Sequence, residues 1–222
     1  MINIAIDGPS GAGKSSIAKT VSAKLGYLYI DTGAMFRSLG FKALMQNIKI
    51  SADSIELKNM LASTTLNIKR VDGLQHMILD GCDITDKIRT PEVSKAASDI
   101  AVVGFVREWI LNLERTLANQ NNCIMDGRDI GTAVLPNANV KIFLTASAEA
   151  RAKRRLLELK EKGVEITFEK LVEEMKYRDH QDSTREISPL KQAEDAVLVD
   201  TTNLNFEESC QTILDIIKRK TN

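Results

Sequence analysis

The chain carries no excess charge of either sign: its 222 residues include 30 Lys+Arg and 30 Asp+Glu. That balance gives no global field for a nucleic-acid polymer or a membrane surface, so any anion must be held by local clusters. Only three cysteines are present, Cys82, Cys123 and Cys210, and none has metal-ligand spacing. They read as buried or inert thiols of a reducing compartment rather than as a disulfide framework. No apolar run approaches the roughly 18 residues of a membrane-spanning helix, and the first residues after Met1 read as a strand rather than a secretory leader. Internal repeats, low-complexity linkers and long heptads are also missing. A cytoplasmic, monomeric protein is expected, with small molecules rather than polymers as partners.

Strand and helix patterns alternate along the chain. "INIAID" is a buried strand, followed by the helical "KSSIAKTVSAKLG", which Gly26 stops. "YLYID" is a second strand, with a helix from about Ala34 to Met45 and a shorter one over 52–62. The segment "TTLNIKRVDGLQHMILDGCDIT" changes character: Asp72-Gly73 and Asp80-Gly81 are turn signals between β-branched runs, predicting a small antiparallel meander. Pro91 opens a long helical stretch to about Asn119. "CIMD", "VKIFLTA" and "AVLVD" supply three further core strands. Helices are expected over 147–162, ended by Gly163, over 168–181, and in the closing "NFEESCQTILDIIKRK". This alternation predicts one α/β domain over 1–222: a parallel five-stranded sheet with helices on both faces and right-handed crossovers. The meander is an insertion, because it cannot join such a sheet without breaking the alternation.

Between the first strand and helix lies "GPSGAGKSS". Gly8, Gly13, Lys14 and Ser15 fit G-x-x-x-x-G-K-[ST] in the strand-to-helix setting that the pattern requires. Its glycines let backbone N–H groups converge on phosphate oxygens at a helix N-terminus. Lys14 can reach the outer phosphates, and the Ser15 hydroxyl can ligate Mg²⁺. A nucleotide is thereby implied, but kinases, ATPases and GTPases share the loop. The Asn-Lys-x-Asp signature that reads guanine is absent.

Candidate acceptor residues follow the sheet strands, where ligands of open α/β sheets gather. "DTGAMFR" places Asp31, Thr32 and Arg37 after the second strand, and "DGRDIG" places Asp126, Arg128 and Asp129 after the third. Arg178, Asp182 and Arg185 would share one face of a continuing helix, and Arg151, Arg154 and Arg155 crowd another. Arginines of this kind can neutralise the repulsion between two phosphate groups brought together for transfer. Each has a plainer reading alone: Arg37 as a solvated charge, Arg128 as a local ion pair, Arg178 with Asp182 as an i,i+4 pair, and the 151–155 cluster as a solvated face. His180 reads as a surface histidine.

The ordered segments "DGPSGAGKSS", "DTGAMFR", "IRTPEVSKAASDIA", "VRE", "DGRDIGT", "VKIFLTAS" and "RDHQDSTREISPL" resemble bacterial cytidylate kinase. The resemblance implies the nucleoside monophosphate kinase fold, with an acceptor-binding region over 31–119 that holds a β insert at 63–90, and a lid with its adjoining helix over 147–181. It implies phosphorylation of CMP and dCMP by ATP with Mg²⁺. Gly8, Pro9, Ser10, Gly11, Ala12, Gly13, Lys14, Ser15 and Ser16 would cradle ATP. Arg37 and Arg128 would hold the acceptor's phosphate, beside a wall of Asp31, Thr32 and Gly33. Ser98, Arg107 and Asp129 would face cytosine, while Arg178, Asp182 and Arg185 would serve its sugar and phosphate. Arg154 and Arg155 would close over the transferring group, with Lys14, Arg128 and Arg185 completing the catalytic set. Asp126 would hold Mg²⁺ through water. Thr32, Phe36 and Gln181 depart from the Ser, Tyr and Arg that many or some relatives carry there. Two alternatives stay open: a kinase for UMP, AMP or another small molecule, and an ATP-driven switch with no acceptor.

Overall fold

A computed structural model of the chain describes residues 1–71, 74–161 and 163–221, so the Asp72-Gly73 turn and Lys162 lie outside the described residues. The chain divides into two compact units, one formed by Met1–Tyr29 with Asn121–Asn222, the other by Ile30–Gln120.

The first unit is built on β1 (Asn3–Asp7), which pairs in parallel with β6 (Cys123–Gly127) on one side and β7 (Val140–Thr145) on the other. With β2 (Leu28–Asp31) and β8 (Val197–Asp200) the five-stranded order is β2-β6-β1-β7-β8. A central strand buried on both faces needs an unbroken apolar run, and Ile4, Ala5 and Ile6 are fully buried. One face of the sheet packs Ile4, Ile6, Ile124 and Ile142 against Ile17 and Val21 of α1 (Lys14–Leu25) and Ile213 and Ile217 of α8 (Phe206–Thr221). Gly26 ends α1 at φ 69, with its amide and that of Tyr27 closing on the carbonyls of Ala23 and Ser22.

The second unit holds α2 (Thr32–Met45), α3 (Ile55–Ala62), the meander β3 (Leu66–Val71), β4 (Leu74–Leu79) and β5 (Cys82–Asp83), then α4 (Pro91–Ile100) and α5 (Gly104–Gln120). The three meander strands form their own antiparallel sheet. Helices α2 and α4 cross closely: a Cβ on Gly40 would lie 2.9 Å from the Ala97 backbone nitrogen. Lys42 of α2 is buried and ties the meander down through Thr64 and Asp80.

Several expectations require correction. The helix expected from Ala34 starts at Thr32, because Asp31 caps it by accepting the Ala34 amide. The long helix expected over 91–119 is two helices: β-branched Val102 and Val103 followed by Gly104 form a poor helix junction, and Arg107 donates to the released carbonyl of Ala101. The helices after β7 are α6 (Ala148–Glu161) and α7 (Phe168–Thr184), the latter one turn longer than predicted. Arg185 lies just past α7 with extended backbone, so it does not continue the helical face of Arg178 and Asp182. Cys123 and Cys210 are buried, but Cys82 is exposed on the two-residue β5. Among the described residues no helix is long and apolar enough to cross a membrane.

Candidate active site

In the first unit, the loop after β1 owes its path to three glycines at positive φ: Gly8 (146), Gly11 (75) and Gly13 (91). At Gly8 no other residue fits, since a Cβ would stand 1.9 Å from the Leu144 carbonyl oxygen of β7. Gly13 hands the chain to α1, whose free amides face the start of the helix. Lys14 is buried, and its amine donates to the Pro9 carbonyl at 2.8 Å. Burial, followed by the Arg128 charge, lowers its pKa to about 7. The Ser15 hydroxyl donates to Asp126 Oδ2 at 2.7 Å, and the Tyr29 hydroxyl donates to the other oxygen at 2.8 Å. A hydroxyl and a carboxylate at that spacing are hard oxygen donors of the kind that fit Mg²⁺ carried by nucleotide phosphates.

Past Asp126, β6 ends and the chain makes a π-helical turn over Ile130–Val134, held by the Asp129 carbonyl accepting from Ala133 and Val134. Such turns are rare and concentrate at functional sites. Arg128 reaches both far and near along the chain: its Nε donates to Asp182 of α7 at 2.7 Å, and its Nη1 donates to the carbonyl of neighbouring Gly127 at 3.3 Å. Asp129 is buried, and Arg185 Nη2 stands 3.7 Å from its Oδ1 while Arg185 Nε donates to the Ser188 carbonyl. Arg128, Asp129, Asp182 and Arg185 are therefore brought together, whereas Arg178 is exposed on α7.

The three arginines of α6 separate. Arg154 donates to the Thr201 carbonyl and hydroxyl after β8, and exposed Arg155 pairs with Glu158 at 2.8 Å. Arg151, a member of the candidate arginine cluster to which the resemblance assigns no role, is the one that meets the nucleotide loop. It is buried, donates to the Ser10 carbonyl at 2.9 Å and to that of Ala146, and grips both carboxylate oxygens of Asp179 on α7. Met175 of α7 also reaches Gly11, where its Cε would lie 3.3 Å from an added Cβ.

In the second unit, Asp31 serves two partners: one oxygen caps α2 and the other accepts from Arg37 Nη2 at 2.9 Å. The Asp31 amide donates to Gln75 of the meander. Arg37 Nε is buried without a hydrogen bond among the described residues. Thr32 is buried, and Gly33 leaves room that a Cβ would take at 3.0 Å from Arg37 Nη1. Arg107 lies over the Phe36 ring, 5.6 Å from its centroid, and Ser98 is exposed on α4 with its hydroxyl toward the Ser94 carbonyl.

Sequence signals for Asp7, Tyr29 and Arg151 were weak. Only Arg151 stood in a noted cluster, and spacing alone did not tell its buried guanidinium from the exposed one of Arg155.

Residues 4–219 match the cytidylate kinase family. The chain belongs to that family. It is 54% identical to the cytidylate kinase of Caldicellulosiruptor bescii over 97% of this chain and 95% of the relative. Against the Desulfitobacterium hafniense cytidylate kinase the figure is 47%, over 99% and 94%. More distant structures share the fold alone: a protein from Eubacterium ventriosum (TM-score 0.53, 14% identity, 98% of this chain and 99% of that one) and the shikimate kinase of Bacteroides thetaiotaomicron (0.50, 12%, 98% of each).

Proposed function

We infer that this cytidylate kinase family member transfers the terminal phosphoryl group of ATP to CMP and dCMP, giving ADP with CDP or dCDP. The family match across almost the whole chain carries the inference. An oxygen of the acceptor phosphate attacks the γ-phosphorus as the bond to the ADP oxygen breaks. Catalysis rests on positioning and charge stabilisation. The loop from Gly8 to Ser16 holds ATP, with Lys14 at its outer phosphates. Ser15 and, through water, Asp126 would hold Mg²⁺, which would supply neutralisation of the phosphate charge. The acceptor's phosphate is assigned to Arg37 and Arg128. The orphaned Nε of Arg37 supports this, because a buried guanidinium N–H without an acceptor is stabilised by an arriving anion.

Cytosine is assigned to Asp129, Arg107 and Ser98. A carboxylate accepts from the exocyclic amine of cytosine but meets an oxygen in uracil, so the two bases present opposite polarity to it. Arg178, Asp182 and Arg185 take the sugar and phosphate side. Arg154 and Arg155 reach the transferring group only by leaving Thr201 and Glu158. The protein is assigned to the cytoplasm as a monomer, and its balanced charge supports small molecules rather than polymers as its partners.

The test is ADP release measured with CMP, dCMP, UMP and AMP in turn. Release that depends on acceptor and is greatest with the cytidine nucleotides is the expected result. Equal release without any acceptor would identify an ATPase switch, and preference for UMP or AMP would reassign the acceptor.

A further inference from the structure

Asp7 ends β1 one residue before the nucleotide loop, and none of the roles above uses it. It is buried, yet its carboxylate is not idle: Oδ1 accepts the Ile130 amide at 2.8 Å and Oδ2 accepts the Gly131 amide at 2.7 Å. These are the first two residues of the π-helical turn that follows Asp129. The fit is close. A Cβ on Gly131 would lie 3.3 Å from Asp7 Oδ2 and 3.2 Å from Lys141 Cδ of the neighbouring strand.

Only a carboxylate satisfies both amides at once. Asparagine of the same shape would present its NH₂ to one of the N–H groups, and an apolar residue would leave both unpaired. A buried carboxylate is itself costly, and burial raises its pKa to about 6 against the pull of the two amides and of Lys14, with Asp129 adding to the rise. The chain thus accepts a buried charge where packing alone would favour a hydrocarbon. Covalent continuity on one side leads to Gly8, and the two hydrogen bonds on the other lead to Asp129.

We propose that Asp7 is a positioning residue for the acceptor end of the reaction: its carboxylate fixes the turn that carries Asp129 without touching either nucleotide. The proposal rests on the assignment of Asp129 to the acceptor. Displacing that turn changes acceptor binding more than ATP binding, because the glycine path of the nucleotide loop is set independently by β7 at Gly8 and by Arg151 at Ser10.

Steady-state kinetics of Asp7→Asn test this. The expected result is a KM for CMP raised roughly 10–100-fold, the scale on which misplaced contacts act, with the KM for ATP within about threefold of wild type. Amide exchange at Ile130 and Gly131 is faster. Equal rises in both KM values, or neither changed in a folded variant, overturn the proposal. If Asp7→Asn does not fold, Gly131→Ala pushes the turn off Asp7 while keeping the charge; the same split is expected, and its absence rejects the proposal. Asp129→Ala serves as the control for base reading. An unchanged CMP-to-UMP ratio in that variant removes Asp129 from the base, while the KM split in Asp7→Asn still decides the role of Asp7.

Discussion

Lys14 and Arg37 are both cations assigned to phosphate, and their surroundings differ sharply. Lys14 is buried in the first unit with a backbone carbonyl as its hydrogen-bond partner, and burial has drawn its pKa down to about 7. Arg37 lies in the second unit, its side chain 24% exposed and already paired with Asp31. The nucleotide loop is made mostly of backbone, fixed by three glycines, and burial brings the pKa of its amine down to about 7. Arg37, proposed to meet the acceptor, uses a side chain instead, and a guanidinium does not lose its proton in proteins. A lysine can therefore gain its charge as phosphate arrives, whereas Arg37 can keep Asp31 on Nη2 and offer phosphate the Nε that Asp31 leaves unpaired.

The largest effect that tests this contrast comes from Lys14→Met. Loss of the amine should lower kcat/KM by roughly 10³, comparable with removing a preorganised charge stabiliser at a reacting centre. The melting temperature should stay level or rise, because a buried amine costs stability. The sign follows from the shift. Lys14 keeps its proton in the unfolded chain up to about 10.5 but loses it near 7 when folded. The penalty is full below 7 and fades as pH rises toward 10.5. Near-normal turnover with a native melting curve would remove Lys14 from the reaction; a large fall in melting temperature would make it a structural residue.

A smaller and more selective loss is expected from Arg37→Ala. The acceptor KM should rise roughly tenfold to a hundredfold, the worth of a charge-assisted hydrogen bond, while ATP affinity measured by calorimetry stays as in wild type. Asp31 still caps α2 through its other oxygen, so the helix keeps its start. Arg37→Lys should recover little, because one ammonium cannot reproduce the fork that reaches both Asp31 and phosphate. Equal loss of ATP and CMP affinity would mean that Arg37 supports the fold.

The two regions also differ in how far they could be read from sequence. The nucleotide loop was legible because its parts are contiguous: strand, glycines, lysine and helix fall within Asn3–Leu25. The five core strands and the meander followed from apolar periodicity and turn residues for the same reason. What escaped reading depends on partners far along the chain. Asp7 meets Ile130 across 123 positions, Tyr29 meets Asp126 across 97, and Arg151 meets Ser10 across 141. No local spacing encodes such pairs. The break between α4 and α5 had a local sign in Val102, Val103 and Gly104, but helical periodicity on either side concealed it. The π-helical turn had none, and the carboxylate that holds its first two amides lies 123 and 124 positions away at Asp7.

The smallest effect is a fraction of a proton, and it addresses the contrast most directly. At pH 8, free ATP is already fully ionised, and an amine with a pKa near 7 is mostly neutral in the empty protein. Phosphate oxygens beside that amine favour its charged form and raise its pKa. ATP binding at pH 8 should therefore take up close to one proton, an approximate figure from the shift expected beside an opposite charge. At pH 6 the uptake at this group should nearly vanish, because the amine is protonated before ATP arrives. Calorimetric titration with ATP in two buffers of different ionisation heat reads this number. Lys14→Met should abolish the pH 8 uptake, whereas Arg37→Ala should leave it unchanged, since arginine holds its proton throughout. If wild type and Lys14→Met take up the same number of protons, the amine is charged before ATP binds, and the distinction between the two phosphate sites disappears.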